Sequence, residues 1–338
     1  MALRVAILGG GEWGTALDIH LATRVRELPV VTLYMRNAEA ARTTIAAREN
    51  RRYLPGVTVP PEVAVTSELH RVAADVVFVA TPVAAFPAVR RALDDSSLHA
   101  PLFTLAKGFV PAPGRAPHHE LPHAVLAKAW QAPVGAVSGP TFAMEVAQGL
   151  PTALVVASTD AAASRDTAAL LSSESFRAYT SDDLTGVEVG GAVKNVYAIA
   201  AGASDGLGFG DNARAALVTR ALAESTRLCV ALGGRAETLA GLAGLGDLVL
   251  TCTGNQSRNR RVGLGLARGQ RLDTILAELG HVAEGVPGAH AVRDIAVHHG
   301  VDMPIVDVVC RVLDAEVPLR DAVLMLLARA TGAEQRAH

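Results

Sequence analysis

The clearest candidate for chemistry in this chain is a lysine surrounded by small and apolar residues. Lys194 stands in the run Gly190-Gly191-Ala192-Val193-Lys194-Asn195, with an amide directly after it. A lysine in such a run is a candidate for proton transfer to or from a substrate oxygen. The alternative is a surface lysine whose aliphatic stem covers apolar neighbours while its amine reaches water. The glycine pair and Asn195 favour the chemical role.

A second chemical feature is a glycine-rich turn near the start of the chain. After the strand-like residues 5–8, glycines recur as Gly-x-Gly-x-x-Gly at Gly9, Gly11 and Gly14. The first permits a tight turn, the second lets the backbone approach a pyrophosphate, and the third lets a helix pack on the strand. The first N–H groups of that helix would point at the phosphates. The pattern therefore predicts a dinucleotide site, with a merely structural turn as the alternative.

The end of the second strand-like run indicates which dinucleotide would bind. NAD-specific sites carry Asp or Glu there to bond the ribose 2′-hydroxyl, whereas this chain has Tyr34-Met35-Arg36-Asn37. Arg36 offers a planar fork for a 2′-phosphate, and a solvated arginine is the alternative. We therefore predict NADP(H) as the preferred cofactor and NAD(H) as a possible one. Trp13, inside the glycine turn, either contacts the cofactor or wedges between domains.

Three polar clusters stand where ligands could bind. Lys107 ends one strand-like run and residues 138–143 (Ser-Gly-Pro-Thr-Phe-Ala) follow the next, so both lie at the carboxyl edge of a parallel sheet. Asp247 follows a Gly-Leu-Gly run and precedes residues 255–261, a dense polar and cationic patch. Two alternatives stay open, since Asp247 could cap a helix and the patch could be a solvated charge run.

The elements that must position these residues change character along the chain. In the first half, near-continuous apolar runs alternate with helix-like segments such as residues 15–26 and 38–49. Such runs are typical of parallel strands covered on both faces, so we predict an α/β, doubly wound Rossmann sheet. The predicted strands are residues 5–8, 30–35, 76–81, 102–106, 134–138, 153–157 and 176–180.

The second half reads as helical. Long Ala-, Leu- and Val-rich stretches follow residue 188, and no strand run of comparable quality appears. We predict helices over residues 212–232, 271–279 and 318–330, the first stopped by Gly233-Gly234. The predicted domains are residues 1–187, which would bind the dinucleotide, and residues 188–338, which would form an all-α substrate and catalytic domain.

Composition excludes several classes of protein. The 338 residues exceed the size at which single cores stop growing, about 250–300 residues, so two domains are expected. Hydrophobic residues make up 50% of the chain and aromatic residues only 4%, which implies a core of small residues packed closely. With 31 basic and 33 acidic residues the net charge is −2, and nothing indicates a nucleic-acid partner or a membrane surface.

Cysteine usage and the apolar pattern indicate the compartment. Cys229, Cys252 and Cys310 are widely spaced with no Cys-x-x-Cys pair, so we expect neither a disulfide framework nor a zinc site. No signal peptide or membrane span is expected, and we predict a cytoplasmic protein without membrane insertion. The histidines at 118, 119 and 123 are candidate metal ligands. We favour the alternative, that they lie at a helix start exposed to water, and we predict no metal.

Together these blocks resemble a known family. The chain is similar to bacterial sn-glycerol-3-phosphate dehydrogenases that use NAD or NADP, from about residue 5 to residue 330. The resemblance rests on residues 138–143 and 190–196, on Ser204-Asp205-Gly206-Leu207-Gly208-Phe209-Gly210, and on residues 243–248 and 255–259. It implies a Rossmann domain joined to a helical domain like that of 6-phosphogluconate dehydrogenase, a small phosphorylated substrate, and a homodimer.

The resemblance also implies roles for individual residues. Lys194 would exchange the proton at the substrate oxygen, with a pKa lowered by Lys107, and Asp247 would orient this lysine or a substrate hydroxyl. Asn195 would lie beside the substrate. The residues implied to contact glycerol phosphate are Lys107, Gly139, Thr141, Asp247, Ser257, Arg258 and Asn259. Those implied to contact the nicotinamide cofactor are Glu12, Trp13, Arg36, Lys107, Ala143, Arg258, Val282 and Glu284. For Glu284 the alternative is a loop carboxylate with no role in binding.

Some positions depart from the family pattern. Glu12 stands where a small serine is frequent, which puts a carboxylate close to the pyrophosphate, and Ala106 stands where a threonine often precedes Lys-Gly. We predict an enzyme that interconverts dihydroxyacetone phosphate and sn-glycerol 3-phosphate for glycerophospholipid synthesis. The alternatives are the same chemistry on another phosphorylated or phosphonate ketone, and a non-catalytic nucleotide sensor.

Overall fold

The first half of the molecule is built around a central sheet. The computed structural model describes residues 2–111, 119–128 and 130–327. The strands of the main sheet are β1 (Arg4–Leu8), β2 (Val30–Tyr34), β3 (Ala64–Thr66), β4 (Val76–Val79), β5 (Leu102–Thr104), β8 (Val134–Ser138), β9 (Thr152–Ser158) and β10 (Phe176–Ser181). A separate antiparallel pair consists of β6 (Val110–Pro111) and β7 (His119–Glu120).

The main sheet has the strand order β10-β9-β8-β5-β4-β1-β2-β3. The six strands from β8 to β3 are parallel, which confirms the Rossmann-type prediction. The pairing departs from the parallel direction at one place, because β9 runs antiparallel to β8 and β10 pairs parallel with β9. A continuous apolar run indicates burial on both faces but does not indicate strand direction. The two- and three-residue strands β3, β6 and β7 are too short to form such a run.

Helices cover both faces of this sheet. They are α1 (Glu12–Thr23), α2 (Ala38–Ala47), α3 (Phe86–Asp94), α4 (Pro122–Ala127), α5 (Ala143–Gln148) and α6 (Ala161–Leu171). One apolar cluster lies under α1, α5 and α6, and another lies under α3 and α4. The predicted second helix ends two residues early because Arg48 adopts a left-handed conformation, with φ of 47°.

The second half is helical. Its helices are α7 (Leu184–Gly206), α8 (Gly210–Ala231), α9 (Ala236–Leu239), α10 (Asp247–Thr253), α11 (Arg258–Ala267), α12 (Leu272–Leu279), α13 (Gly285–His298), α14 (Pro304–Leu313) and α15 (Leu319–Leu327). Within the described residues after Ser181 there is no strand, as predicted. The last three residues of the predicted helix 318–330 lie outside the described residues. The predicted boundary after residue 187 falls in the first turn of α7 and stays a prediction.

The long helix α7 forms the centre of the second half. A Cβ atom added to Gly202 would lie 1.9 Å from the carbonyl oxygen of Arg260 on α11, and one added to Gly190 would lie 2.4 Å from that of Ala243. Backbone therefore packs directly on backbone, which is how an aromatic-poor chain fills its core. This close packing also fixes the helix that carries Lys194.

The histidine-rich segment differs from the prediction. His118 lies outside the described residues, and His119 lies on β7. His123, near the start of α4, bonds the buried carboxylate of Glu188 on α7 through its backbone N–H and its ring. The water-exposed helix start is therefore wrong for His123. Among the described residues, no group of three or more potential metal ligands occurs.

No helix in the described part of the chain is both long enough and apolar enough to cross a membrane.

Candidate active site

A cleft of about 1080 Å³ lies between the carboxyl edge of the sheet and the helical half. It gathers most of the predicted site residues from both halves of the chain, which supports a single shared site. The predicted residues that line it are Gly9, Gly11, Glu12, Trp13, Arg36, Lys107, Thr141, Ala143, Lys194, Asn195, Ser257, Arg258, Asn259, Val282 and Glu284. Gly14, Gly139 and Asp247 lie behind this lining.

The glycine turn leaves room for a phosphate group. Gly9 has φ of +125°, and a Cβ atom there would lie 2.6 Å from the carbonyl oxygen of Ala80. At Gly14 a Cβ atom would lie 2.0 Å from the carbonyl oxygen of Gly9, so helix and strand touch. Gly11 differs, because its Cβ position faces open space with the nearest atom 3.9 Å away. The turn therefore fits a pyrophosphate approaching the N–H groups at the start of α1.

The end of β2 carries an exposed cation into the same cleft. Arg36 lies on the cleft lining, two residues after the end of β2 and one residue before the helix-capping Asn37. The side chain of Asn37 accepts a hydrogen bond of 2.9 Å from the backbone N–H of Ala40. The cap fixes the backbone next to Arg36 while leaving its guanidinium in solvent. Its position is compatible with a 2′-phosphate.

The centre of the cleft holds two lysines on one buried carboxylate. Lys194 donates a short hydrogen bond to Oδ1 of Asp247, and Lys107 donates to Oδ2 of the same carboxylate at 2.6 Å. Asp247 is fully buried and Lys194 is 8% exposed. A buried carboxylate with two ammonium partners holds each of them in a fixed geometry. The amine of Lys194 is therefore inside the cleft, not on the outer surface.

The environment of Lys194 lowers its pKa. Burial disfavours the charged amine and brings the pKa to about 8, although Asp247 favours the charge. The positive charge of Lys107 lowers the pKa further. A lysine with this pKa is mostly protonated at pH 7 and mostly neutral above pH 9. The group is thus able to donate and to accept a proton within the physiological range.

Asp247 begins α10, after a π-helical turn over Leu242–Gly246. Its carboxylate bonds the lysines, so a plain helix cap does not describe what this side chain does. Thr251, one turn later on α10, accepts a hydrogen bond of 2.9 Å from the amine of Lys194. Sequence analysis missed Thr251, although its spacing of four residues from Asp247 places both on one helix face.

A hydrogen bond between two side-chain amides connects Asn195, the neighbour of Lys194, to the polar patch of residues 255–261. The side chain of Asn259 donates to Oδ1 of Asn195 at 2.9 Å and accepts from the backbone N–H of Gly285 at 2.9 Å. Ser257 caps α11 by accepting a hydrogen bond of 3.2 Å from the N–H of Arg260. Both residues line the cleft, and Asn259 also connects α7, α11 and α13. Their predicted contacts with a phosphate stay predictions.

Arg258 and Glu12 face one another across the cleft. Their closest atoms, Nη2 and Oε2, are 3.3 Å apart, and the two side chains are 37% and 36% exposed. Arg258 opens α11 in the second half, whereas Glu12 opens α1 next to the glycine turn. The cation predicted to bind a phosphate thus has a carboxylate as its present partner.

Trp13 connects the glycine turn to Thr141 at the carboxyl edge of the sheet. Its ring N–H lies 3.0 Å from Oγ1 of Thr141 and 3.2 Å from the backbone oxygen of that residue. The hydroxyl of Thr141 donates to the carbonyl oxygen of Gly139, which also accepts from Lys107 at 2.9 Å. The tryptophan is bonded to the first half of the chain, so this contact does not make it a wedge between domains.

The remaining predicted residues lie at the edges of the cleft. Ala143 is buried at the start of α5, and Val282 is 57% exposed in the loop before α13. Glu284 precedes α13, and burial raises the pKa of its carboxyl group although Arg258, Lys194 and Lys107 favour the charged form. Because all three cations of the cleft act on this carboxylate, Glu284 is part of the cleft, and the alternative of a plain loop carboxylate is not favoured.

Comparison with known proteins gives this arrangement a family. Residues 4–164 match the model described as the N-terminus of NAD-dependent glycerol-3-phosphate dehydrogenase, and residues 183–324 match the model of its C-terminus. The chain belongs to the glycerol-3-phosphate dehydrogenase family. The resemblance predicted from the sequence blocks is therefore confirmed.

Individual relatives agree with this assignment. A Janthinobacterium protein named glycerol-3-phosphate dehydrogenase, NAD(P)+, is 50% identical over 97% of this chain and 98% of its own length. A protein of the same name from Thiobacillus denitrificans is 48% identical with the same coverage. The crystal structure of the glycerol-3-phosphate dehydrogenase from Coxiella burnetii is 39% identical, with a TM-score of 0.90 over 97% of this chain and 99% of that one. The family fold thus extends over both halves of the chain.

Proposed function

We propose that this chain catalyses the reversible, NAD(P)-dependent reduction of dihydroxyacetone phosphate to sn-glycerol 3-phosphate. The observation that carries the proposal is the position of Lys194, whose amine is buried in the cleft and bonded to Asp247 and Thr251. The glycine turn lines the same cleft, so a cofactor held there and the lysine would share one substrate. The names of the relatives support this substrate over another phosphorylated ketone.

The lysine supplies the proton part of the reaction. A bound reduced nicotinamide would supply a hydride to C2 of the ketone. As the carbonyl oxygen gains negative charge, the ammonium of Lys194 stabilises it and then transfers a proton to it. Asp247 orients the ammonium and keeps its counter-charge in place during the transfer. In the direction of oxidation the neutral amine of Lys194 accepts the proton from the hydroxyl group.

The cofactor would be held by the first half of the chain. The glycine turn at Gly9 and Gly11 and the start of α1 fit its pyrophosphate. Arg36 supports a preference for NADP(H), because a guanidinium pairs well with a 2′-phosphate, while NAD(H) stays possible. Ala143, Val282 and Glu284 line the rest of the proposed cofactor channel.

The cofactor preference has a direct test at Arg36. The Arg36→Asp variant should lower the NADPH-to-NADH ratio of kcat/KM by about tenfold or more, because a charge-assisted pair contributes about 1.5–3 kcal/mol. Arg42→Asp, on an exposed position of α2 outside the cleft, is the matched control. An unchanged ratio in Arg36→Asp would remove this residue from cofactor selection.

The substrate phosphate would be held at the start of α11. Arg258 offers two parallel donors, and Ser257 and Asn259 add neutral hydrogen-bonding groups. Lys107, Gly139, Thr141 and Asn195 would surround the carbon skeleton. Such a site reads the phosphoryl end of a ligand, so it also fits a phosphonate ketone.

One assay tests the proposal against its alternatives. Purified protein is mixed with NADPH and dihydroxyacetone phosphate, and the absorbance of the reduced nicotinamide is followed. Oxidation that fails with unphosphorylated dihydroxyacetone is the expected result. Preference for a phosphonate ketone would favour a specialised substrate. Cofactor binding without turnover of either ketone would favour a sensor and reject the enzyme.

The wider setting is proposed on the family resemblance. The product would supply glycerophospholipid synthesis in the cytoplasm, where the buried free thiols of Cys229, Cys252 and Cys310 would stay reduced. A homodimer is proposed on the same basis, and light scattering of the purified chain tests it. We further propose that residues 1–187 and 188–338 act as the cofactor and substrate domains.

A further inference from the structure

The block Ser204-Asp205-Gly206 has no place in the site described above, although it is part of the family resemblance. Asp205 lies in the last turn of α7, where its side chain is 9% exposed. Its Oδ2 accepts hydrogen bonds from Nε and Nη2 of Arg260, at 3.0 and 2.6 Å. Its Oδ1 accepts one from Arg214 at 2.7 Å. The carboxylate is thus fully engaged, and its main partner is an arginine of α11.

Arg260 in turn holds the turn that leads into α11. Its Nη1 donates to Oδ1 of Asn255 at 3.1 Å, and its backbone N–H donates to Oγ of Ser257 at 3.2 Å. The two contacts brace the beginning and the end of the same short turn. The next two residues, Arg258 and Asn259, begin α11 and line the cleft.

The helix itself cannot shift to compensate. Gly202 of α7 lies against the carbonyl of Arg260, and Gly263 of α11 lies against the carbonyl of Ile199, where an added Cβ would be 2.0 Å from the oxygen. The backbones of α7 and α11 are therefore in contact at two places next to the ion pair. The turn before α11 has other contacts, from the N–H of Ser257 to the carbonyl oxygen of Gly254 at 3.2 Å and from Nε2 of Gln256 to Oε1 of Glu145 at 3.0 Å. The pair of Asp205 and Arg260 acts on this turn through Asn255.

We propose that Asp205 is a positioning residue, which acts through Arg260 to hold the turn before α11, and with it the phosphate-binding residues 257–259, in their binding geometry. Neither Asp205 nor Arg260 belongs to the lining of the cleft in the described chain. Because the turn is ordered before the ligand arrives, binding does not have to supply the free energy of ordering it. The inference rests on the proposed function, since it assumes that this turn receives the substrate phosphate.

The consequence is a specific defect in substrate binding. Asp205→Asn removes the charge that orients Arg260, and the turn becomes free to sample other conformations. The KM for dihydroxyacetone phosphate should rise about tenfold, since small misplacements of a binding group have effects of this size or larger. The Kd for NADPH and the kcat at saturating substrate should stay within about twofold, because Lys194 and the glycine turn are untouched.

The matched control is Arg214→Ala. It removes the other partner of Asp205 but leaves the bonds from Asp205 to Arg260 in place, so KM should stay near the wild-type value. A thermal melt of each variant separates loss of stability from loss of binding. Equal increases of KM in both variants would show a general effect of α7 instability and overturn the proposal.

A second pair of variants covers the case in which Asp205→Asn does not fold. Arg260→Lys keeps the positive charge but loses the Nη1 atom that donates to Asn255. Asn255→Ala removes only the hydrogen bond between Arg260 and Asn255. Both should raise KM and weaken binding of inorganic phosphate, measured by calorimetry without turnover. Unchanged phosphate affinity in both would overturn the proposal. Wild-type protein without dihydroxyacetone phosphate turnover would instead reject the proposed function, so the two failures are distinguishable.

Discussion

The interior of the cleft and its rim are built in opposite ways. In the interior, Lys194 and Lys107 share the fully buried carboxylate of Asp247. The hydrogen bonds among these three residues are already formed without a ligand. At the rim, Arg36 and Arg258 are exposed side chains on element ends. Preorganised charges in a dry site favour a developing charge strongly, whereas exposed charges contribute little until a ligand buries them. Proton chemistry and ligand selection are thus assigned to different parts of the cleft.

The largest effect should follow from removing the interior amine. Lys194→Ala should lower kcat by about 10² or more, the range of general acid–base catalysis. Binding of NADPH, measured by the fluorescence of the nicotinamide, should stay unchanged because the glycine turn is intact. Lys107 still neutralises Asp247 in this variant, so the fold should survive. Turnover at the wild-type rate would show that this lysine is not part of the mechanism. It would also contradict the assignment of proton chemistry to the interior of the cleft.

A rim variant should act on binding instead of on turnover. Arg258→Ala should raise the KM for dihydroxyacetone phosphate about 10- to 100-fold, since hydrogen bonds to charged groups contribute about 1.5–3 kcal/mol. Arg261→Ala is the matched control, because Arg261 lies in the same cationic patch but outside the cleft lining. Similar KM values for both variants would support a solvated charge run and place the phosphate elsewhere.

The pH dependence tests how the two interior lysines are coupled. Oxidation of glycerol 3-phosphate needs neutral Lys194, so its kcat/KM should rise with pH through about 8, the pKa of that group in the free enzyme. Lys107→Met removes a positive charge that lowers this pKa, and the inflection should move to higher pH. The neutral fraction of Lys194 at pH 7, and with it the rate of oxidation there, should therefore fall below the wild-type value.

Lys107→Arg is the control for that experiment, because it keeps the positive charge beside Asp247. Its inflection should stay near the wild-type value even if its overall rate is lower. An inflection that does not move in Lys107→Met would show that Lys107 does not contribute to the pKa of Lys194.

The same contrast explains what could be predicted from sequence. Local signals predicted the glycine turn and the apolar strands and selected Lys194 as a candidate, because each of these depends on neighbours along the chain. Local signals did not reveal the interior network, which only the family resemblance implied. Lys107 and Asp247 are 140 residues apart and meet only where the loop after β5 packs against α10. The antiparallel direction of β9 was missed for a related reason, since apolar patterning reports burial and not the path of the chain.

The smallest effect should come from Glu12, the acidic residue of the rim. Its carboxylate lies 3.3 Å from Arg258 at about one-third exposure, and such a pair contributes about 0–1 kcal/mol. Glu12→Gln should therefore leave stability unchanged. It frees Arg258 and removes a negative charge beside the pyrophosphate site, so the Kd for NADPH and the KM for dihydroxyacetone phosphate should both fall about two- to fivefold. Glu62→Gln, exposed and outside the cleft lining, controls for net charge.

Ionic strength sharpens this last comparison. Salt screens an exposed repulsion far more than a buried pair, so the advantage of Glu12→Gln over the wild-type chain should shrink as salt is added. The defect of Lys194→Ala should not change with salt, because its charges are buried. Weaker cofactor binding in Glu12→Gln at low salt would mean that Glu12 orders Arg258 for its ligand. In that case part of the rim would be preorganised like the interior.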